Sequence, residues 1–289
     1  MSGEAIPQED YLYVAAIDFG TTFSGYAFAM RHDFLEDKTN IKTTVWNAPS
    51  GGITSLKTPT TLLLNPDKSF NSFGYDAEAN YTTLSEEDAH ERYYYFRRFK
   101  MSLFDREKRL TRETLLKEMT GTKEIPAIEV FTHCIRYLKD HLLNRLETGS
   151  GAKVYSGDIQ WVLTVPAIWD DPAKQFMREA AEQADIFGGQ LKIALEPEAA
   201  SVFCQVLPID KLEGTGSKGL RCFSPGSRYL VLDAGGGTID ITVHEVQPNG
   251  SLKELDRASG GAWGGIYVDR MFKEMLEDIV GKIGWKSFH

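Results

Sequence analysis

Residues 13–30 read YVAAIDFGTTFSGYAFAM, and residues 229–246 read YLVLDAGGGTIDITVHEV. Both follow one plan. An apolar run ends in an aspartate (Asp18, Asp233), a turn of small residues carries Gly and Thr, and a second apolar run follows. Tyr11–Ile17 is too brief for a helix and is bounded by Asp18-Phe19-Gly20, so it reads as a buried strand. Gly25–Met30 resumes the apolar pattern after the turn. Self-similarity of this kind marks an internal repeat. It predicts two strand–turn–strand units, one in each of two lobes, with their turns facing across a cleft.

The turns carry the chemistry of a polyphosphate site. Glycine lets backbone approach a phosphate closely, and consecutive turn N–H groups form a nest for an anion. Thr21, Thr22 and Thr238 add hydroxyl donors. Asp18 and Asp233 are out of place beside a polyanion until Mg²⁺ is put between them, since that ion is typically held by one or two carboxylates plus phosphate oxygens. A polar hairpin tip would account for DFGTT alone. DAGGGT is harder to explain that way, because three glycines weaken a hairpin unless backbone must come near something. Neither turn is GxxxxGK[ST], and no GxGxxG follows a strand, so P-loop and dinucleotide-fold readings fail.

Outward from the repeat, the remaining pattern is α/β. Ile41–Trp46 alternates and is β-branched, a third strand of the first meander. Residues 48–118 change character: Pro49, Ser50, Gly51, Gly52, Pro59 and Pro66 punctuate the first half, and aromatic and basic residues crowd Tyr93–Phe104. That stretch is expected to be a smaller inserted subdomain. Pro126 opens a helix whose stripe is Ile128, Phe131, Ile135, Leu138, Leu142 and Leu146, ended by Thr148–Gly151. Ile159–Val165 is a strand stopped by Pro166. Asp171 is placed as an N-cap with Pro172 at the first helical position, and that helix runs to Gly188-Gly189. Leu191–Leu195 is a strand, and Glu196-Pro197 starts another helix. Asn249-Gly250 signals a hairpin with Ser251–Arg257 returning. A last helix has the stripe Val268, Met271, Met275 and Ile279. The division is a tail at 1–10, a first lobe at 11–201, a long connection at 202–228 with a disordered middle, and a second lobe from 229 to 289.

Composition limits the function. The 289 residues are 42% hydrophobic and 25% charged, and 32 Lys+Arg against 41 Asp+Glu leave a net charge of −9. An acidic chain does not coat nucleic acid or an anionic membrane, although it can hold one small polyanion locally. No run approaches the ~18 apolar residues of a membrane span. Cys134, Cys204 and Cys222 are odd in number and form no CxxC pair, which reads as a reducing compartment without a zinc site. With no signal peptide at the start, the expected location is cytoplasmic, and nuclear as an extension of that. His133 and His141 lack metal-ligand spacing. RYYYFRRFK (92–100) mixes aromatics and bases as single-strand binders do, but one short run in an acidic chain reads better as a helix face.

The motifs resemble those of a known family. DFGTTFSGYA (18–27) is similar to the first phosphate motif of the 70-kilodalton heat-shock chaperones, within the actin/sugar-kinase/chaperone ATPase superfamily, and LDAGGGTIDITV (232–243) to the second. WVLTVPAIWDDPAKQFMREAAEQA (161–184) with LEPEAAS (195–201) resembles their connecting motif. SGGAWGGIYVDRMF (259–272) resembles the Gly-Gly turn and helix that follow. YFRRFKMSL, EPEAAS and GAWGGIYVDRMF look closest to the divergent heat shock 70 kDa protein 12A/12B-like subgroup. The resemblance implies ribonuclease-H-like, actin-type ATPase lobes that bind ATP or ADP with Mg²⁺. By motif position, Asp18 and Asp233 would hold Mg²⁺ through water, and Glu196 would orient or deprotonate the attacking water. Gly20, Thr21, Thr22, Gly235, Gly236, Gly237 and Thr238 would bind phosphates, with Asp240 near the same cleft. Phosphoryl transfer needs mainly positioning, charge neutralisation and an oriented nucleophile, which agrees.

Several positions depart from the family pattern. Phe23 stands where the chaperones place a tyrosine, and Glu198 replaces a small hydroxyl residue, which would add negative charge near the site. The catalytic lysine falls within Tyr93–Phe104, where Lys100, Arg97 and Arg98 compete; arginine would keep the charge but cannot titrate usefully. Glu196 also reads as a simple helix cap. The chain stops at His289, where the family would continue into more of the second lobe, an adenosine-binding strip and a peptide-binding domain. The expectation is therefore a complete first lobe, a truncated second one, and clients or co-chaperones met through the missing part. The alternative to an ATPase is a regulator or scaffold with the same fold and little turnover. A sugar kinase of the same fold would need a sugar-binding acidic residue in the cleft, and none is identifiable.

Overall fold

The computed structural model describes residues 11–49, 51–52, 54–104, 110–206 and 224–286. The strands are β1 (Tyr13–Phe19), β2 (Phe23–Met30), β3 (Lys42–Thr43), β4 (Trp46–Asn47), β5 (Thr54–Ser55), β6 (Thr58–Pro59), β7 (Thr61–Leu64), β8 (Phe70–Phe73), β9 (Tyr94–Arg97), β10 (Leu115–Lys117), β11 (Glu124–Pro126), β12 (Ile159–Val165), β13 (Leu191–Leu195), β14 (Arg228–Ala234), β15 (Ile239–Val246) and β16 (Leu252–Gly261). The helices are α1 (Arg31–Glu36), α2 (Tyr75–Glu86), α3 (Ala127–Ser150), α4 (Asp171–Gln183), α5 (Glu196–Val206) and α6 (Gly265–Lys286). Together they make a mixed α/β chain of several sheets.

The principal sheet runs β13-β12-β1-β2-β3, with β6 also on β2. β1 is antiparallel to β2 and parallel to β12, and β12 is parallel to β13. Strand period decides which side chains reach the site. On β1, Tyr13, Ala15, Ile17 and Phe19 are buried, so Asp18 must point to the other face. The buried face packs against α3, whose stripe at Phe131, Ile135, Leu138, Leu142 and Leu146 is fully inside, and α3 packs against α4. Phe19, Phe99, Phe131 and Phe176 form a chain of rings within this core, with successive centroids 5.2–6.1 Å apart. Such tilted and edge-to-face aromatic contacts add modestly to their large burial.

Within residues 48–118, β8-β7-β9 form a separate antiparallel sheet covered by α2. Its Leu62, Leu64, Phe73 and Phe96 nevertheless belong to the same core as α3. The second repeat unit builds the antiparallel sheet β14-β15-β16, followed by α6.

Five sequence expectations need correction, one of them residues 92–100, which form no helix face but strand β9 on β7 and the entry to a short 3-10 turn. Ile41–Trp46 is not one strand: β3 pairs with β2, whereas β4 pairs with β5. The chain breaks there because Trp46 turns inward to stack on His141, with centroids 4.4 Å apart, leaving Val45 exposed. The cap of α4 is Asp170, which accepts a hydrogen bond from the Ala173 N–H, so Asp171 and Pro172 lie inside the first turn. The connection does not begin at Val202, because α5 continues to Val206. β16 runs past Arg257 to Gly261.

The tail 1–10, the middle of the connection (207–223) and Cys222 lie outside the described residues. Cys134 is buried and Cys204 partly so. Among the described residues no helix is long and apolar enough to cross a membrane.

Candidate functional site

Asp18 lies near the end of β1 on the face away from α3, beside Thr164 of β12, whose hydroxyl donates to Asp18 Oδ1 at 3.2 Å. The turn that follows is tight. A Cβ on Gly20 would lie 2.2 Å from the Phe23 carbonyl oxygen, so no larger residue fits. Thr60 clamps the turn from behind: its hydroxyl donates to Gly20 O at 2.8 Å and its N–H to Thr22 O at 2.9 Å.

The second turn is braced by α6. The N–H groups of Gly264, Gly265 and Ile266 donate to the carbonyls of Gly237, Gly235 and Gly236, respectively. These donors at the start of α6 would otherwise lack partners within the helix. The carbonyls of the turn are thereby engaged on the α6 side. Among the described residues, the N–H groups of Thr21, Thr22, Gly236 and Gly237 donate no backbone hydrogen bond outside the regular ladders.

The two turns touch at their tips. A Cβ on Gly236 would fall 1.9 Å from Thr22 Oγ1, and one on Gly237 2.5 Å from both Thr21 Oγ1 and Met101 Sδ. The glycines therefore do admit a close approach, and in this form the approaching group is the other turn. Thr22 Oγ1 is buried there without a hydrogen-bond partner among the described residues.

Around the tips opens a cleft of about 1100 Å³. Asp18, Gly20, Thr21, Thr22, Lys100, Glu196, Asp233, Gly235, Gly236, Gly237 and Thr238 all line it. So the structure brings together every candidate from the two turns, the connecting motif and the lysine. Lys100 is distinguished from its neighbours by geometry. It is 2% exposed, its Nζ lies 2.8 Å from Glu196 Oε1, and it sits 5.1 Å from the centre of the Trp169 ring. Arg98 lines the cleft edge and pairs with Asp269 of α6 at 3.8 Å, while Arg97 is absent from the lining.

Burial raises the Glu196 carboxyl above its ordinary range; Lys100 opposes this, and the charges of Asp18 and Asp233 reinforce it. Asp233 is also raised, first by burial and then by Asp240 and Asp18, against the pull of Lys57 and Lys100. A hard divalent cation would relieve carboxylates crowded in this way, and since among the described residues no three of them are placed to ligate one ion directly, water would complete its shell. The orphaned Thr22 hydroxyl and the undonated N–H groups suit phosphate oxygens. The residues present therefore fit a metal–polyphosphate pair.

Some expectations shift. Asp240 is buried behind the second turn, outside the cleft lining, and accepts a hydrogen bond from the Ile168 N–H at 3.0 Å. It ties β15 to the segment after β12. Glu198 does not line the cleft, so its charge is not added to the wall. Phe23 does line it and is 44% exposed. Sequence reasoning missed Lys57, which forms an ion pair with Asp18 Oδ2, and Thr164. Thr164 was legible as the residue across from Asp18 once the parallel pairing of β1 with β12 is known. Nothing in the Pro- and Gly-rich stretch around Lys57 marks it.

No family model matches the chain. It is 40% identical to heat shock 70 kDa protein 12B of Homo sapiens, over 95% of this chain and 46% of that protein. With heat shock 70 kDa protein 12A of Mus musculus the identity is 37% over the same shares. The chaperone protein HscA homolog of Acidithiobacillus ferrooxidans is 29% identical over 57% of this chain and 22% of its own length. The chain thus spans about half the length of the 12A and 12B proteins it matches, and 46% is the share in each case. At 37–40% identity over an alignment that covers 95% of its residues, the chain belongs to the 70-kilodalton heat-shock protein family and is 12A/12B-like within it.

Proposed function

We propose that the cleft binds a magnesium nucleoside triphosphate, ATP in the first instance and ADP as product, as the nucleotide-binding part of a chaperone-type ATPase. The observation that carries this reading is the convergence of both Gly/Thr turns, Asp18, Asp233, Glu196 and Lys100 on one cavity. The similarity to named chaperones supports it from a separate direction. In this reading the principal sheet with its α3 and α4 layer is the first of two actin-type lobes, and β14–β16 with α6 open the second.

The roles follow from the chemistry of each group. Bound Mg²⁺ would supply charge neutralisation for the terminal phosphates, and Asp18 and Asp233 are the carboxylates that would hold it. The N–H groups of Gly236 and Gly237 and the hydroxyls of Thr21, Thr22 and Thr238 would take phosphate oxygens. Because the tips touch, a polyphosphate between them requires the turns to part, and ligand binding is coupled to opening. Glu196 is the group placed to orient water and accept its proton. Its raised carboxyl makes it a better base than an ordinary glutamate, since efficiency improves as the catalytic pKa approaches the working pH. Lys100 keeps that carboxylate charged within a buried wall.

Titration of the 289-residue chain with fluorescent ATP and ADP tests the reading. Asp18→Asn and Asp233→Asn should each weaken Mg·ATP binding about tenfold or more, the scale of a lost charge-assisted contact. Glu196→Gln should leave affinity within a few-fold and slow any hydrolysis on the order of 10²-fold. Identical Mg·ATP affinity in the wild type and both aspartate variants would remove the site as drawn.

A further inference from the structure

Lys57 is the cleft cation that neither the repeat nor the family motifs announce. It leaves the chain between β5 and β6, where its own N–H donates to Ser55 Oγ at 3.1 Å and fixes the turn. Its stem then crosses β2 at Gly25. A Cβ on Gly25 would stand 3.3 Å from Lys57 Cγ and 3.0 Å from the Leu56 carbonyl oxygen, so the strand is bare where the stem lies over it. Gly25 is also the residue directly opposite Asp18 in the β1–β2 ladder. The missing side chain thus opens a path that delivers the ammonium to Asp18 Oδ2, at ion-pair distance.

The charge balance of the cleft gives this contact its meaning. Four carboxylates line the cavity, Asp18, Asp233, Glu196 and Asp269, with three cations, Lys57, Lys100 and Arg98, and Arg98 is paired with Asp269 at the edge. Lys100 is committed to Glu196, almost wholly buried against Trp169. Lys57 is therefore the cation paired with Asp18, and its charge also acts on Asp233 together with that of Lys100. It is also 48% exposed, so unlike Lys100 it can follow an incoming anion without giving up a packed position. Lysine is a compact point charge on a flexible stem, well suited to that.

We propose that Lys57 is a phosphate-binding residue, a tethered cation between Asp18 and the terminal phosphates that lets this cleft retain a polyphosphate without a divalent ion. The inference rests on the nucleotide reading given above. It divides the neutralising charge in two, one part brought by the metal and one part belonging to the chain. Metal and lysine overlap in what they supply, so the contribution of Lys57 is largest where the metal is withheld. Replacing the ammonium by an uncharged stem of similar length isolates it.

The test is a titration of wild type, Lys57→Met and Lys57→Arg with a fluorescent ATP analogue, once with Mg²⁺ and once with excess EDTA, with thermal midpoints as a folding control. The wild type should bind in EDTA. Lys57→Met should lose about tenfold or more there, one charge-assisted phosphate contact, and less than about threefold with Mg²⁺. Lys57→Arg should recover to within a few-fold. If the wild type binds with Mg²⁺ but not in EDTA, or if Lys57→Met equals the wild type in EDTA, Lys57 is only a structural partner of Asp18 and the nucleotide reading survives. Absence of nucleotide binding by the wild type in both buffers would overturn both.

Discussion

Replacing Lys100 by methionine should cost far more than a surface ion pair would. Lys100 is 2% exposed and Glu196 19%, and their contact at 2.8 Å is reinforced by the Trp169 ring. Removing one partner of a buried pair leaves the other charge unpaired in a poor solvent, a loss of about 3–5 kcal/mol. That is a large share of the ~5–15 kcal/mol by which domains are generally stable. Glu196→Gln alone should also destabilise, by stranding the ammonium. The double variant should cost less than the sum of the two single ones, with a coupling near the upper end of the ~0.5–3 kcal/mol range. Urea denaturation of the four proteins measures this directly. The pH dependence supplies a second constraint. Glu196 is raised in the folded state by burial, Lys100 is the influence that lowers it, and its reference value is 4.5. A carboxyl raised on folding loses stability as pH climbs from the unfolded value through the folded one. Without Lys100 the folded value rises further, so the penalty of Lys100→Met should be smallest near the reference value of 4.5 and grow as pH is raised over the range above it. Additive costs, or a penalty that is flat across that range, would refute the buried-pair account.

Gly236→Ala should destabilise by about 1–3 kcal/mol through overpacking, because its Cβ would collide with Thr22, and Thr22→Ala should relieve most of that loss. An unaffected thermal midpoint in Gly236→Ala would mean the turn tips do not meet in solution. Asp170→Ala should cost about 1 kcal/mol as a lost N-cap while leaving nucleotide titrations unchanged, which makes it a control for stability effects. On α6, Val268, Met271, Met275 and Ile279 are 63%, 44%, 48% and 71% exposed, a helical stripe facing water. Exposed apolar patches of this kind mark interaction or aggregation surfaces. The isolated chain should bind a hydrophobic dye and exchange its α6 amides fast, and Met275→Glu should reduce the dye signal; strong exchange protection of 266–280 in a monomer would count against this.

Much of the architecture was legible because local pattern and tertiary role agree. Ile159–Val165, Leu191–Leu195 and Ile239–Val246 are strands with the boundaries their apolar runs predict, and the α3 stripe is the buried one. Where the reading failed, a long-range contact overrode a local rule. Trp46 leaves its strand to stack on His141, nearly a hundred positions on by number, and no periodicity announces that. The choice of Asp171 over Asp170 as a cap was a one-residue ambiguity between two aspartates, settled by which carboxylate reaches Ala173 N–H. Within the site, residues on the repeated turns could be found because repetition is visible in one dimension. Lys57 and Thr164 could not. They reach Asp18 only through the β1–β2 and β1–β12 pairings, and pairing partners are not written next to one another in the chain.

The cleft is where the otherwise consistent fold contradicts itself. Asp233 is raised first by burial and then by Asp240 behind the turn and Asp18 across the cleft, so its charge is held where it is disfavoured. Thr22 Oγ1 is buried with no partner among the described residues, and Gly236 and Gly237 present undonated N–H groups beside it. Each feature disfavours the folded chain taken alone, and a packed core could have replaced all of them. Natural sequences keep such conflicts mainly at functional sites. A cation answers the carboxylates, and an anion answers the hydroxyl and the N–H groups. One ligand that carries both signs answers the whole set. α5 gives this a mechanical consequence: it starts at Glu196 beside β13 and packs against β14 of the other sheet, with Ser201 Oγ 2.6 Å from the Tyr229 hydroxyl. Parting the two turns to admit a phosphate therefore has to loosen α5 from one of the two sheets, because the helix that carries Glu196 contacts both sides of the cleft.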